Sequence, residues 1–163
     1  IIPPGTPHKL RNLGAVSLEH LVLALPPFDP EDIHLIADDY SEPKPRKTTD
    51  YGKPIIALDG AEIYELLLSS ERKELGLGLA IGSLPPGKTA TLHYHKTCEE
   101  IYYIISGHGK IAVGEKLFEV KKGSVIYVPT NRIHGLQNTT DEELEVLCLS
   151  SPSYTDEDFI KLE

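Results

Sequence analysis

The sequence predicts an all-β domain, a barrel or sandwich of short antiparallel strands, and three observations carry that expectation. From about residue 55 onward, apolar runs of strand length recur at short, even spacing. Tight-turn signals separate them, among them Pro85-Pro86-Gly87, Ser106-Gly107-His108-Gly109 and Gly114-Glu115. Gly76, Gly78 and Gly82 punctuate one run, as close packing or bulges in a curved sheet require.

Taken in order, the chain opens with a segment that its own end repeats without gaps. Shifted by 126 positions, Pro3 falls on Pro129, Gly5 on Asn131, His8 on His134, Leu10 on Leu136 and Asn12 on Asn138. Leu18, Glu19, Leu21, Leu23 and Pro26 then fall on Leu144, Glu145, Leu147, Leu149 and Pro152, and Glu31 and Asp32 on Glu157 and Asp158. Each copy should finish in one short helix. Phe28-Asp29-Pro30-Glu31-Asp32 carries an N-cap aspartate, a proline at the first helical position and acids in the first turn; Tyr154-Thr155-Asp156-Glu157-Asp158 repeats it without the proline. Residues 38–54 are polar, with Pro43, Pro45 and Pro54 among Lys44, Arg46 and Lys47, and form a linker by composition.

Beyond the linker, Ile63–Leu68 and Leu75–Leu84 pattern as a hairpin around the charged loop Ser70-Glu71-Arg72-Lys73. Pro85-Pro86-Gly87 turns the chain into His93-Tyr94-His95. Glu100–Ile105 is the next strand, and Lys110–Val113 and Leu117–Val120 pair as a hairpin around Gly114-Glu115. Val125–Val128 ends in a turn at Pro129 that leads to His134.

Strand side chains alternate, so His93 and His95 share a face and can grip one metal. Imidazole and carboxylate are the usual donors for borderline first-row metals, which makes Glu100 the natural third ligand and His134 a fourth candidate. The spacings are G-x5-H-x-H-x4-E-x6-G from Gly87 to Gly107 and G-x5-P-x4-H-x3-N from Gly123 to Asn138. In both, the sequence resembles the cupin superfamily, with Asn131 standing where that family usually has glycine. Asparagine tolerates a left-handed backbone better than most residues, so the turn should survive.

The resemblance implies a double-stranded β-helix, a jelly-roll-like antiparallel barrel with short terminal helices, holding one divalent metal (manganese, iron, nickel or zinc) on His93, His95, Glu100 and His134. Pro3-x-Gly5-x2-His8-x3-Asn12 is then a second copy of motif two. On that basis residues 1–37 are the C-terminal half of a preceding cupin repeat or a strand-pairing arm, 38–54 the linker and 55–163 a complete cupin domain. The chain lacks methionine and opens on Ile1, so residue 1 is not expected to be the start of translation. It looks like a two-cupin protein without its first half-domain. His8 would be left alone, since no second H-x-H exists, and His20 and His34 are expected at the surface.

At 163 residues the chain suits one domain with an appendage. Its 25% charged and 40% apolar residues are ordinary for a globular protein. A net charge of -9 with no basic cluster argues against nucleic acid. No apolar run reaches bilayer length, and Ile1-Ile2-Pro3-Pro4 lacks the features of a signal peptide, so a cytoplasmic home is expected, with no membrane partner. Two cysteines are too few for a disulfide framework. Cys148 fits a small core position, and Cys98 would face away from His93 and His95 if their strand continued.

Three imidazoles and one carboxylate leave open positions on a metal that takes five or six ligands. The first expectation is therefore a mononuclear metalloenzyme acting on a small oxygen-rich molecule, of sugar isomerase, decarboxylase or dioxygenase type. The tail and motif two are loosely similar to cupin domains of mannose-6-phosphate isomerase type. Glu99, Tyr102, Tyr103 and His108 are candidate general bases by proximity. Alternation turns Tyr102 inward with Glu100, where a packed wall residue is the simpler role, and Tyr103 outward. The alternatives are a non-catalytic module binding a sugar or other small ligand, and a metal-free barrel used for assembly. A homodimer is expected, both by resemblance and because unpaired strand edges invite pairing.

Overall fold

The structure is a computed structural model and describes residues 2, 4–24, 26–35, 53–67 and 76–162. The chain divides into two compact units, Ile1–Lys44 and Pro45–Glu163. All but two residues of the expected linker, and the charged loop expected at Ser70–Lys73, lie outside the described residues.

Among its described residues the second unit has eleven strands: β1 (Ile55–Ile56), β2 (Glu62–Leu67), β3 (Gly78–Leu84), β4 (His93–His95), β5 (Glu99–Ser106), β6 (His108–Val113), β7 (Lys116–Lys121), β8 (Val125–Val128), β9 (His134–Asn138), β10 (Leu144–Ser151) and β11 (Phe159–Lys161). They form two antiparallel sheets, ordered β1-β2-β3-β10-β5-β8 and β11-β4-β9-β6-β7. The all-β, double-stranded arrangement expected from the sequence is what the chain adopts. β5 shows how the pattern builds the core: Glu99 and Ile101 are exposed, whereas Glu100, Tyr102 and Ile104 are buried. Between the sheets, Leu84, Ile104, Ile111 and Leu144 are almost fully buried and pack with Tyr102, Val120, Leu136 and Val146.

The motif glycines are turn residues. Gly87, Gly107 and Gly123 all have positive φ, at +70°, +81° and +87°. Asn131 stands at φ +57°, so asparagine does fill the left-handed turn, and it adds a contact glycine cannot make: its Nδ2 donates to Lys96 O at 3.4 Å. Gly78 and Gly82 are close-approach sites, as expected from the interrupted run. A Cβ on Gly78 would meet Ser150 Oγ at 2.6 Å, and one on Gly82 would meet Val146 Cγ1 at 3.1 Å.

The expected terminal helices are corrected to single 3-10 turns, Pro30–Asp32 and Asp156–Asp158. Asp29 does cap the first, its Oδ1 accepting from Glu31 N at 3.0 Å. In the second unit Phe159–Lys161 pairs with β4 as a strand, and that pairing ends the helical path after one turn. In the first unit the described residues carry no strand, and those whose exposure is described lie open to solvent. No helix among the described residues is long and apolar enough to cross a membrane.

Gly107→Ala and Gly123→Ala separate two costs. Both impose a left-handed backbone on alanine, worth about 1–2 kcal/mol. Only Gly107 also lacks room, since its Cβ would meet Glu143 O at 2.6 Å while that of Gly123 meets nothing within 4 Å. Urea unfolding should show Gly107→Ala the more destabilising by roughly 1–3 kcal/mol; equal losses would show that the close approach costs nothing.

Candidate metal centre

The site begins with backbone pairing. β4 and β9 run antiparallel with His93 directly opposite His134, and alternation puts His95 on the same face as His93. β4 ends at His95, and after a short turn β5 delivers Glu100. All four side chains are buried.

Each ring is aimed by its own strand. Nδ1–H of His93 donates to Thr91 O at 2.8 Å and that of His134 to Arg132 O at 2.9 Å, in both cases the carbonyl two residues back. With Nδ1 as the donor, Nε2 carries the lone pair. One ligand atom from each of His93, His95, Glu100 and His134 lies within 4.8 Å of the others. Glu100 Oε2 stands 2.9 Å from His134 Nε2 and 3.5 Å from His95 Nε2. Neighbouring ligands of a first-row metal, at bond lengths of about 2.0–2.2 Å, stand about this far apart. With its proton on Nδ1, His134 Nε2 has none to donate to Glu100 and is a buried polar atom without a hydrogen-bond partner. An orphaned lone pair beside a carboxylate is what a cation would satisfy, and the donor set fits a first-row divalent ion.

Electrostatics prepares the same outcome. Burial, then the neighbouring His134, holds the His93 imidazolium down to about 4, so that the ring is neutral, the form that ligates. Burial alone would raise Glu100; hydrogen bonding and positive charge from His134 and His95 in their protonated forms outweigh it and keep the carboxyl well below the usual range in the ion-free site.

Residues that the sequence did not single out buttress the centre. The C-terminal tail supplies Phe159, which stacks on His93 with ring centroids 4.5 Å apart, and Tyr154, edge-on to His95. Asp158 is buried and accepts from Thr97 N and Thr97 Oγ1, both at 2.7 Å, and from Cys98 N at 3.0 Å. Its Oδ2 lies 3.7 Å from His95 Nδ1, a nitrogen with no other partner. Such a carboxylate behind a ligating imidazole orients the ring. The visible signal was the recurrence of an aspartate at Asp32 and Asp158, which had been assigned to a helix start.

The other candidates are placed as follows. Tyr102 is inward and buried, its hydroxyl donating to Glu100 Oε2 at 3.2 Å. Burial, then the Glu100 carboxylate, pushes its phenol far up, so it stays protonated. Glu99 is exposed on the outer face beside Tyr127, Tyr103 is half-buried, and His108 is exposed. Cys98 is a correction: it does not face away from the histidines. The strand stops at His95, and the turn folds Cys98 inward, 1% exposed, with its Sγ within 4.8 Å of ligand atoms of His95 and Asp158. Burial and then Glu100 push its thiol up, which keeps it protonated.

A cavity of about 270 Å³ reaches His93, His95 and Glu100. Ile63, Val146 and Leu136 give it apolar walls, and Asp59 adds a carboxyl whose pKa burial raises. Asp59 is fixed by Oδ1 accepting from Ala61 N at 3.0 Å. The lining contains no lysine or arginine among the described residues.

Residues 80–150 match the Cupin domain family. An uncharacterized protein of Methanocaldococcus jannaschii is 42% identical over 117 residues, 71% of this chain and 94% of that protein. The oxalate-binding protein of Thermotoga maritima is 36% identical over 66 residues, 40% of this chain and 54% of that one. Among solved structures, the oxalate decarboxylase of Bacillus subtilis, described with Mn(II) centers, superposes with a TM-score of 0.57 at 26% identity, over 68% of this chain and 30% of that one.

Asp158→Ala should release the tail and leave Thr97 N, Thr97 Oγ1 and Cys98 N without their acceptor. Thermal and urea unfolding should report a loss of about 2–4 kcal/mol, and metal affinity should fall roughly 10–100-fold. An Ala variant as stable as the parent would show that the β4–β11 pairing and the Phe159 stack hold the tail without the Asp158 carboxylate.

Proposed function

As the chain belongs to the cupin family, we propose that it is a mononuclear metalloprotein holding one divalent first-row transition metal on His93, His95, Glu100 and His134, and that it acts as an enzyme on a small oxygen-rich molecule. The observation that carries this reading is the convergence of four buried ligand atoms within 4.8 Å, with the rings of His93 and His134 pinned so that Nε2 faces the others. When bound, such an ion polarises a ligated oxygen or acidifies bound water.

The chain's own residues supply the rest. Tyr102 keeps its proton and holds Glu100 in place. The apolar wall excludes water from the space beside the ligands. Asp59, on the same cavity, is the carboxyl we assign to hold or release a proton. A divalent ion with one carboxylate ligand has a net charge of about +1, and the described lining adds no basic side chain. The centre therefore favours a ligand whose oxygen head carries a single negative charge. The oxalate decarboxylase likeness supports decarboxylase-type chemistry and manganese ahead of isomerisation or dioxygen chemistry.

A second reading has its own support: a non-catalytic binding module, favoured by the likeness to an oxalate-binding protein. A homodimer belongs to the same proposal, because edge strands β7 and β8 expose Leu117, Phe118, Val125 and Tyr127.

Elemental analysis of protein purified without chelator, beside the His93→Ala/His95→Ala variant, tests the centre. Near one equivalent of metal is expected in the parent and none in the variant, with a chelator lowering the parent's Tm by several degrees. His93 is held down to about 4, so affinity should persist through mildly acidic pH and weaken as pH falls towards that value, where its protonation competes with the metal. No metal after reconstitution with manganese, iron, nickel or zinc would end the metalloprotein reading. Metal with saturable oxalate binding but no formate or carbon dioxide would favour the binding module.

A further inference from the structure

Beyond its metal end, the cavity has a shape that the register of β3, β10 and β5 explains. β10 lies between the other two, and alternation turns every second residue of each to the inner face, where Leu84, Ile104 and Leu144 are buried. Cross-strand partners line up there in rows. The first runs Glu100, Ser150, Gly78 and the second Tyr102, Cys148, Ala80. In the third, Ile104 and Val146 lead to Gly82, and Leu144 opposite Leu84 closes the floor beyond it. In every row the side chain shrinks from β5 to β3. The strands stand roughly 4.8 Å apart, so the room opens over β10 and β3, beginning one strand away from the carboxylate of Glu100.

Polarity changes along the same rows. The first holds Glu100 and Ser150, whose Oγ accepts from Tyr154 N at 3.0 Å. The floor of the next two, Cys148, Ala80, Val146 and Gly82, offers no charged group. On the open side Ile56 and Leu58 line the cavity while 69% and 51% exposed, so the apolar wall continues out to solvent. Charge is one-sided: Asp59, Glu65 and Asp156 line the cavity, and the described lining has no lysine or arginine to meet a second anionic group. Glu65 pairs with Ala80 from β2 but is exposed, so water already meets its charge. At the roughly 30 Å³ that a water takes in the liquid, 270 Å³ holds about nine non-hydrogen atoms, of which a carboxylate uses three.

We propose that the ligand of this centre is a monocarboxylate with an uncharged hydrocarbon body of about six carbons, the carboxylate at the Glu100 row and the body across the rows of Ala80 and Gly82. Ala80 is then the residue that sets the length of the body. The proposal rests on the reading that His93, His95, Glu100 and His134 hold a divalent metal.

Isothermal titration of the full chain loaded with manganese or zinc tests it, with straight-chain acids from acetate to decanoate and three probes of one length: adipate, 6-aminohexanoate and neutral hexanamide. Affinity should rise roughly fourfold per methylene up to about heptanoate and no further, with a negative heat-capacity change that grows along the series. Each of the three probes should bind at least about tenfold more weakly than hexanoate. Ala80→Leu should keep the metal and shorten the preferred acid by about three carbons, and the smaller change Ala80→Val by about two. A flat series would overturn the inference, as would adipate, 6-aminohexanoate or hexanamide binding as tightly as hexanoate, or an optimum that both Ala80 variants leave in place. Heptanoate affinity that persists in the His93→Ala/His95→Ala variant would put the head away from the metal and overturn it too. A parent that takes up no metal would overturn the reading beneath it, and the inference with it.

Discussion

The pairing of β4 with β9 at His93 and His134 is the contact on which the rest depends. It sets two imidazoles opposite each other, and the carbonyls of Thr91 and Arg132 then fix their rings. A slip of one residue would turn His93 and His95 to the opposite face together. Several bonds resist such a slip. Leu162 N donates to Leu92 O at 3.1 Å, Asn131 N to His95 O at 2.7 Å, and Asp158 gathers the backbone N–H groups of Thr97 and Cys98. Both ends of β4 are thus tied to chain that arrives from far along the sequence.

That distance explains which parts of the site were legible. His93, His95 and Glu100 follow from alternation and a short turn, both local, and Gly87, Gly107 and Gly123 mark turns whose positive φ is a property of the turn itself. His134 is legible because its spacing from Gly123 and Pro129 reproduces a second local motif. Asp158, Phe159 and Asp59 are different. Asp158 acts on Thr97, and Asp59 O accepts from Thr91 N at 2.9 Å, so their roles appear only once the sheets have formed. The direction of Cys98 depends on where β4 stops, and element boundaries are the weakest part of pattern reasoning.

The two copies of motif two show the same division within one chain. Asx-type bonds and the left-handed turn form in both, because each joins residues two to four apart. Strands β9 and β10 form only in the copy whose described residues include β3, β5 and β6 to pair with. A strand's backbone bonds are made with neighbours, so the same pattern without them stays extended but unpaired. Apolar spacing in the N-terminal segment therefore does not by itself make strands among the described residues.

Burial sets the charge of the centre as well as its shape. Tyr102, Tyr154, Cys98 and Cys148 all surround the site, and desolvation pushes each of them up, so that none contributes a negative charge near neutrality. Asp158 is the exception. Burial would raise it, but the donors on Thr97 and Cys98 outweigh that and hold it down to about 2, and those donors already compensate its charge. Among the described residues Glu100 is the carboxylate within the cluster of His93, His95 and His134. A divalent ion would then be under-neutralised by one charge in a low-dielectric space, where unpaired charge is costly. On the proposed reading, a singly anionic oxygen donor entering along the apolar wall would remove that imbalance, so the burial that keeps the ligands in register would also select the head group.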